Sequence, residues 1–297
     1  MASLIGASLI LHGGAGTIKE RDRADYKAGL HAALSRGYEV LSTENAVQAV
    51  LKSVSLMEDY DKAFNAGTGG VLNRDGVVEC DACVMESSRS SGAVAALSNA
   101  KNPVLIAERV RTESPHTLIV GAGANSLVDE PIDNEQLLTK RSVAQFERWR
   151  AKGAAEPVGS ATVGAVALDT NGNLAAATST GGLIGKWPGR VGDSPIVGAG
   201  TYATQHAAVS CTGSGEAFSR ALSAKEVALG VERGEDLQKI VQDTLKNVEA
   251  YDGNGGLITV TQSGLALGWN APHMAYAYKT PEVEQVEVGL EPQIIVI

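Results

Sequence analysis

Residues 159–169 constrain the fold of this chain more than any other segment. They read Gly-Ser-Ala-Thr-Val-Gly-Ala-Val-Ala-Leu-Asp, and Asn171-Gly172 separates them from a second apolar run at residues 174–178. An Asn-Gly pair between two β-prone apolar runs is a strong signal for a hairpin. We therefore expect Thr162 to open the first strand of a β-hairpin.

Thr162 has two possible interpretations. It is an ordinary strand residue if the chain stays intact. If the bond before it is cut, its own α-amine lies within reach of its hydroxyl and can act as a base. Thr162 is therefore a candidate nucleophile, provided that the rest of the chain supplies the other groups that such a reaction needs.

The composition excludes several classes of partner. A formal net charge of −9 argues against a nucleic acid or an anionic membrane, since such binding depends on Lys and Arg. No apolar run approaches the ~18 residues of a membrane span, and residues 1–10 lack the features of a signal peptide. Three cysteines are a sparse, odd set that favours a reducing compartment. We expect a cytoplasmic protein whose partner is a small-molecule or dipeptide substrate.

The apolar pattern predicts groups of helices between groups of antiparallel strands. Helices are predicted at residues 23–41, 45–57, 103–112, 137–152, 216–231 and 235–248, the fourth of them solvated. Strands are predicted at residues 8–11, 77–85, 91–97, 116–120, 163–168, 174–178, 208–211, 257–260, 265–269 and 274–278. Helices bunched in this way favour stacked layers over alternating βαβ units. We predict an α+β fold, a layered αββα sandwich, in a single domain of residues 1–297.

Several glycine-rich motifs point to familiar sites but lack a required part. His12-Gly13-Gly14-Ala15-Gly16 is similar to the oxyanion loops of serine esterases, yet the chain contains no Gly-x-Ser-x-Gly nucleophile elbow. The same motif lacks the third glycine of a dinucleotide fingerprint. Residues 181–186 resemble a phosphate loop, but Trp187 stands where a hydroxyl residue is needed.

Two other motifs offer groups that a threonine nucleophile could use. Arg190 and Asp193 lie in a rigid Gly/Pro segment and could bind the carboxylate and ammonium of an amino-acid-like substrate, or form a surface ion pair. Thr212 and Gly213 follow a predicted strand and could stabilise an oxyanion, or cap a helix. Thr180 lies where another strand stops, in a site or in a plain turn.

The motifs HGGAG, FNAG, TVGAVALD, ATSTGG, GRVGDSP and SCTGSGE together resemble the plant-type L-asparaginase and isoaspartyl aminopeptidase family of N-terminal nucleophile hydrolases. They follow the family's order and cover nearly the whole chain. The resemblance implies a four-layer αββα fold and autocatalytic cleavage between Ala161 and Thr162, into an α subunit of residues 1–161 and a β subunit of residues 162–297. It also implies a homodimer of such αβ heterodimers.

The family's activity is hydrolysis of L-asparagine to L-aspartate and ammonia, and of β-aspartyl dipeptides. Matched residue by residue, the resemblance makes Thr162 the nucleophile and Thr180 the threonine that steadies it. The other implied catalytic residues are Thr212 and Gly213 in the oxyanion hole and Asn65 near the nucleophile, and the implied substrate-binding residues are Arg190, Asp193 and Gly215.

The resemblance implies no catalytic cofactor, but it does imply a structural sodium ion. Residues 57–68 correspond to the family's sodium-binding loop, in which backbone carbonyls hold the ion. The carbonyls expected to do so here are those of Met57, Glu58, Phe64, Ala66 and Thr68.

One position departs from the family pattern. The family has glycine immediately before the nucleophile, whereas this chain has Ala161. A Cβ would resist the strained backbone of the cleavage step if that step needs a positive φ. The alternative hypothesis is therefore an uncleaved, catalytically weak homologue that binds aspartate-like ligands.

Overall fold

The computed structural model describes residues 6–154, 156, 159 and 162–297. Ala161, on the acyl side of the predicted cleavage site, lies outside the described residues. So do Pro157, Val158 and Ser160, which belong to the linker predicted before Thr162.

The described residues contain strands, α-helices and two 3₁₀ helices. The strands are β1 (Ser8–Gly16), β2 (Cys80–Glu86), β3 (Ser91–Leu97), β4 (Leu118–Val120), β5 (Val163–Leu168), β6 (Leu174–Thr180), β7 (Thr201–Ala203), β8 (Ala207–Gly213), β9 (Gly255–Thr261), β10 (Leu265–Trp269), β11 (His273–Lys279), β12 (Glu284–Gly289) and β13 (Gln293–Val296). The α-helices are α1 (Arg23–Thr43), α2 (Ala46–Asp59), α3 (Pro103–Glu113), α4 (Ala122–Asn125), α5 (Lys140–Ala151), α6 (Gly215–Ala221), α7 (Ser223–Glu232) and α8 (Leu237–Glu249), and the 3₁₀ helices are Glu20–Asp22 and Asn134–Leu137.

The strands form two sheets. The larger has eight strands in the order β12-β11-β1-β5-β6-β2-β3-β4, and the smaller has five in the order β13-β10-β9-β8-β7. The strand pairs described here are antiparallel except β3 with β4. The predicted hairpin of β5 and β6 is confirmed, and it lies near the middle of the larger sheet.

Alternate residues of β5 show how the layers stack. Ala165 and Ala167 pack in a cluster with α1, α2 and α3, whereas Val166 and Leu168 pack toward the smaller sheet. The other face of the smaller sheet packs against α6, α7 and α8. The predicted αββα sandwich is thus confirmed, and burial of β5 on both faces explains why its sequence is apolar throughout.

Helix α5 differs from its prediction as a solvated helix. It begins after Thr139, whose side chain accepts a hydrogen bond from the Ser142 backbone N–H, and it buries Phe146 and Trp149. Both rings pack in a separate cluster with the segment around Val71. The charged residues of α5 lie on its outer face. The prediction of a solvated helix was therefore wrong for the inner face, which is buried.

Other parts of the fold also differ from the predictions. The helix predicted at residues 216–231 is broken into α6 and α7 at Leu222, whose φ of +48° is incompatible with a continuous helix. The glycines of His12-Gly13-Gly14-Ala15-Gly16 lie within β1, with a bulge between His12 and Gly14, and not in a loop. Strands β7, β12 and β13 were not predicted. Within the described ranges, no helix is both long and apolar enough to cross a membrane.

Candidate active site

Thr162 directly precedes β5 and is buried, with 5% of its surface exposed. Its Oγ1 donates a hydrogen bond to the Oγ1 of Thr180, the last residue of β6, over 3.1 Å. The pairing of Val163 with Ser179 places the two threonines side by side. The Thr180 hydroxyl also accepts the N–H of Gly182 at 3.0 Å, so it is held as an acceptor for the Thr162 proton.

His12 holds Thr162 from the opposite side, through β1. Its Nδ1 lies 3.1 Å from the Thr162 carbonyl oxygen, and its Nε2 lies 2.9 Å from Ser210 Oγ. Because a carbonyl oxygen only accepts, Nδ1 carries the hydrogen and Nε2 accepts from Ser210. Burial lowers the pKa of His12 to about 3, which keeps the ring neutral in this tautomer.

Two threonine hydroxyl groups extend the His12–Ser210 hydrogen bond into a chain that links the two sheets. Ser210 Oγ lies 2.7 Å from Thr178 Oγ1, which accepts from Thr201 Oγ1 at 2.6 Å. Gly164 makes the arrangement possible, since a Cβ there would lie 2.1 Å from Ser210 Oγ. Neither His12 nor Ser210 was predicted from the sequence as an individual site residue. The signal available for His12 was its place at the start of a glycine-rich run.

Thr212 and Gly213 end β8, on the smaller sheet. Thr212 Oγ1 accepts the N–H of Ala15 at 3.3 Å, which leaves the Thr212 hydroxyl hydrogen free to donate to another group. Gly213 has a φ of +139°, and a Cβ on it would lie 2.3 Å from the Asn254 carbonyl oxygen. The backbone at this strand end therefore requires glycine.

Arg190 and Asp193 come together at Gly215, the first residue of α6. A Cβ on Gly215 would lie 2.9 Å from Arg190 Nη2 and 3.0 Å from Asp193 Oδ1. Asp193 is 4% exposed, and burial raises its pKa to about 7. Its Oδ2 is buried with no hydrogen-bond partner among the described residues. An unpaired buried carboxylate oxygen is costly in the ionised state, which agrees with the raised pKa, while Oδ1 faces Gly215 and Arg190.

Arg190 already binds a carboxylate in this structure. Its Nε and Nη2 donate to the two carboxylate oxygens of Glu216 at 2.9 and 2.8 Å. This bidentate pair has the geometry that an amino-acid carboxylate would also use. Glu216 was not predicted as a site residue, because sequence spacing does not show that the start of α6 faces the 189–195 segment.

Asn65 connects the FNAG segment to the end of β6. Its Nδ2 donates to the Gly182 carbonyl at 2.9 Å, and its Oδ1 accepts the Val71 N–H at 2.7 Å. The Asn65 amide group is therefore committed to holding backbone near Thr180, and Asn65 also lines the adjacent cavity.

A cavity of about 630 Å³ lies beside these groups. Its volume is within the range of ~300–1,000 Å³ that is common for small-molecule sites. Its lining includes Ala15, Asn65, Gly213 and Glu216 from the site described above, and also Lys19, Tyr26, Arg141 and Gln145. A buried hydroxyl, an oxyanion donor and a charged Arg–Asp pair beside a cavity are suited to acyl transfer from a small amino-acid-like amide.

The predicted sodium loop fits an ion incompletely. The carbonyl of Glu58 accepts the N–H of Thr68 at 2.9 Å, and the Phe64 carbonyl accepts from Nη2 of Arg141. A guanidinium at the Phe64 oxygen disfavours a second cation there. Within the described part of the chain, no group of three or more His, Cys, Asp and Glu side chains is placed to hold a metal. A structural sodium ion stays a prediction, and no catalytic step depends on it.

Comparison with known proteins gives consistent relatives. The sequence profile of the asparaginase family matches residues 5–288. The chain is 40% identical to the isoaspartyl peptidase of Escherichia coli (strain K12), over 93% of this chain and 94% of that protein. It is 37% identical to the plant-type L-asparaginase of Pyrococcus horikoshii, over 95% and 99% of the two chains. It is 39% identical to the isoaspartyl peptidase/L-asparaginase of Xenopus laevis, over 95% and 94%.

Proposed function

We propose, from the premise that this chain belongs to the asparaginase family of hydrolases, that it hydrolyses L-asparagine and β-aspartyl dipeptides with Thr162 as its nucleophile. The main support is the buried Thr162 hydroxyl bonded to Thr180, together with an Arg190 and Asp193 pair suited to an amino acid.

The first step of the proposal is autoproteolysis. The Thr162 hydroxyl oxygen attacks the carbonyl carbon of Ala161, the C–N bond breaks, and the proton of the hydroxyl passes to the released amine. Water then hydrolyses the resulting ester, which frees the carboxylate of Ala161 and the hydroxyl and α-amine of Thr162. His12 supports this step by holding the Thr162 carbonyl in place through its Nδ1–H.

The second step is hydrolysis of the substrate. The Thr162 hydroxyl attacks the side-chain carbonyl, its α-amine takes the hydroxyl proton, and the same proton passes to the departing ammonia or amino acid. The Thr212 hydroxyl and the Gly213 N–H stabilise the oxyanion of the tetrahedral intermediate. Water then attacks the acyl ester and releases aspartate.

Substrate orientation follows from the charged pair. Arg190 binds the α-carboxylate in place of Glu216, and the Asp193 carboxylate, whose Oδ1 faces Gly215, accepts from the α-ammonium. A free α-carboxylate and a free α-ammonium occur together on asparagine and on the aspartyl residue of a β-aspartyl dipeptide. When Arg190 and Asp193 bind these two groups, the side-chain carbonyl lies at a defined distance from them, which favours cleavage of the β-linkage.

The experiment that tests the proposal combines intact mass with product release. Wild-type protein should give two fragments in denaturing conditions, divided between Ala161 and Thr162, and should release ammonia from L-asparagine. Thr162→Ala should abolish both results, because it removes the attacking oxygen. Thr112→Ala, which changes an exposed threonine of α3, should leave both intact.

Two outcomes would overturn the proposal. A Thr162→Ala protein that still hydrolyses β-aspartyl dipeptides would remove Thr162 as the nucleophile. A wild-type chain that stays in one piece, binds aspartate and releases no ammonia would instead establish the uncleaved, ligand-binding homologue that Ala161 suggests.

A further inference from the structure

The cavity lined by Asn65, Gly213 and Glu216 contains cationic groups that the proposed reaction does not use. Arg141 and Lys19 line it together with Tyr26 and Gln145, apart from the Arg190 and Asp193 pair. Lys19 is exposed, whereas Arg141 is half-buried and its Nε is buried. Arg141 therefore presents a partly desolvated positive charge to the same cavity as Gly213.

Arg141 is fixed in position by its surroundings. Its Nη2 donates to the carbonyls of Phe64 and Gly69, which flank the segment that holds Asn65. The helix that carries it, α5, is anchored by the buried rings of Phe146 and Trp149. An arginine whose main chain is held by an anchored helix and whose guanidinium is held by hydrogen bonds is preorganised to bind a ligand.

Arg141 is not paired directly with a carboxylate among the described residues. No carboxylate among the described residues lies within 4.0 Å of it, and its Nε is buried without an acceptor. The ionisable groups that face it are Tyr26, Asp22 and Asp61, and burial outweighs them and lowers the pKa of Arg141. A partly buried cation that has carbonyl acceptors but no ion-pair partner is unfavourable in the free protein, and an anionic ligand would relieve that cost.

We infer that Arg141 binds the α-carboxylate of the leaving amino acid in β-aspartyl dipeptides. The inference rests on the proposed function, which directs the aspartyl end to Arg190 and Asp193 and the scissile carbonyl to Thr162. The leaving group then extends into the remainder of the cavity. A departing amino acid carries a carboxylate that can pair with the guanidinium, whereas the ammonia released from asparagine carries none. Arg141 is thus a specificity residue that favours dipeptides with a free C-terminus.

The test compares β-aspartyl-alanine with its C-terminal amide, which differs only in the charge at the leaving end. For wild-type protein, kcat/KM should be about 10- to 100-fold higher for the free acid, the range for a charge-assisted hydrogen bond. Arg141→Gln should reduce this ratio to about 1, and Arg141→Lys should restore part of it. Rates are expressed per cleaved chain, so a change in processing does not affect them.

The matched control is Arg148→Gln, which removes an exposed arginine from the same helix and should leave the ratio unchanged. Because the ratio compares two substrates, a general distortion by Arg141→Gln would lower both rates and leave their ratio high. If Arg141→Gln leaves the ratio high, Arg141 does not bind the leaving carboxylate. A wild-type ratio near 1, with asparagine still hydrolysed, has the same meaning. Either outcome rejects the role of Arg141 and leaves the proposed function in place. Failure of wild-type protein to hydrolyse any of the three substrates overturns the proposed function, and this assignment with it.

Discussion

Asp193 and Arg190 carry opposite charges at one site, but their surroundings differ. Arg190 is satisfied by Glu216, whereas Asp193 keeps one buried oxygen without a partner and has a pKa raised by burial to about 7. The free protein therefore protonates Asp193 readily near neutral pH. The proposed binding of the substrate's α-ammonium by Asp193 requires the ionised form, because only a carboxylate forms an ion pair with an ammonium group.

The raised pKa of Asp193 predicts a pH-dependent preference for substrates with an α-amine. Below pH ~7, protonation of Asp193 should lower kcat/KM for L-asparagine by about tenfold per pH unit. The α-amine of Thr162 titrates at about 7.7–8 in a model peptide, so the quantity to measure is a ratio. Succinamate, which lacks the α-amine, shares the Thr162 titration but not the Asp193 contact.

The kcat/KM ratio of asparagine to succinamate should thus fall as the pH drops from 8 to 5. Asp193→Asn should flatten that dependence and lower kcat/KM for asparagine by about 30-fold or more, the cost of removing one partner of a buried charge pair. A ratio that is constant with pH in wild-type protein would contradict the role of Asp193.

At the scale of elements, a chain of buried hydrogen bonds beside Thr162 joins β1, β8, β6 and β7. It runs from the Thr162 carbonyl through His12, Ser210 and Thr178 to Thr201. The Thr162 carbonyl fixes the His12 tautomer, and that tautomer in turn sets the donor direction of Ser210 and Thr178. The position of Thr162 thus depends on both sheets and not on its own hairpin alone.

Ser210→Ala should destabilise the protein, because it leaves His12 Nε2 and Thr178 without their shared partner. The expected loss in the free energy of unfolding is about 1–3 kcal/mol, measured by urea denaturation. The control is Ser126→Ala, which removes an exposed hydroxyl that donates to the Gly123 carbonyl. It should lower the free energy of unfolding by less than ~0.5 kcal/mol. Equal losses in the two variants would show that the buried chain contributes nothing specific.

Helix α2 carries a buried carboxyl group that contacts the start of α3. Glu58 is 0% exposed, its Oε1 accepts the N–H of Val104 at 3.0 Å, and burial raises its pKa to about 8. The folded protein holds this proton more tightly than the unfolded chain does. The contribution to stability is therefore complete below pH ~4.5 and is lost as the pH rises through about 8.

Glu58→Gln should remove the loss of stability at high pH, since the glutamine amide oxygen still accepts from the Val104 N–H and carries no charge. The variant should be more stable than wild type at pH 9 by a few kcal/mol at most, at ~1.4 kcal/mol per unit of pKa shift, and the difference should shrink toward pH 5. Urea denaturation at both pH values measures it. Glu232→Gln, at an exposed glutamate of α7, is the control. A gain that does not change with pH would contradict the assignment.

At the scale of the whole molecule, the two predicted subunits share one sheet. Strands β1 to β4 come from residues before Thr162, whereas β5, β6, β11 and β12 come from residues after it. Strand β1 pairs with β5 on one side and with β11 on the other. Separating the fragments after cleavage would break several strand pairs and expose both sheet faces.

Cleavage should therefore leave the fragments associated. Size-exclusion chromatography with light scattering should give a mass no smaller than one full chain, while a denaturing gel gives two bands. If the predicted homodimer of αβ heterodimers forms, the native mass should equal two full chains. Fragments that elute separately in native buffer would contradict the shared sheet.

The sequence by itself determined the layers and indicated the chemistry that we propose. Apolar runs such as β5 have no polar face, so they can only be buried between two layers, and Thr162, Arg190 and Thr212 lie in local motifs whose residue types already suggest their reactions. The tertiary structure alone decided which distant groups meet. Glu216 pairs with Arg190, Ser210 orients His12, and Arg141 reaches the cavity because α5 buries one face. Such contacts depend on helix rotation and on how two sheets pack, and neither is encoded in local spacing.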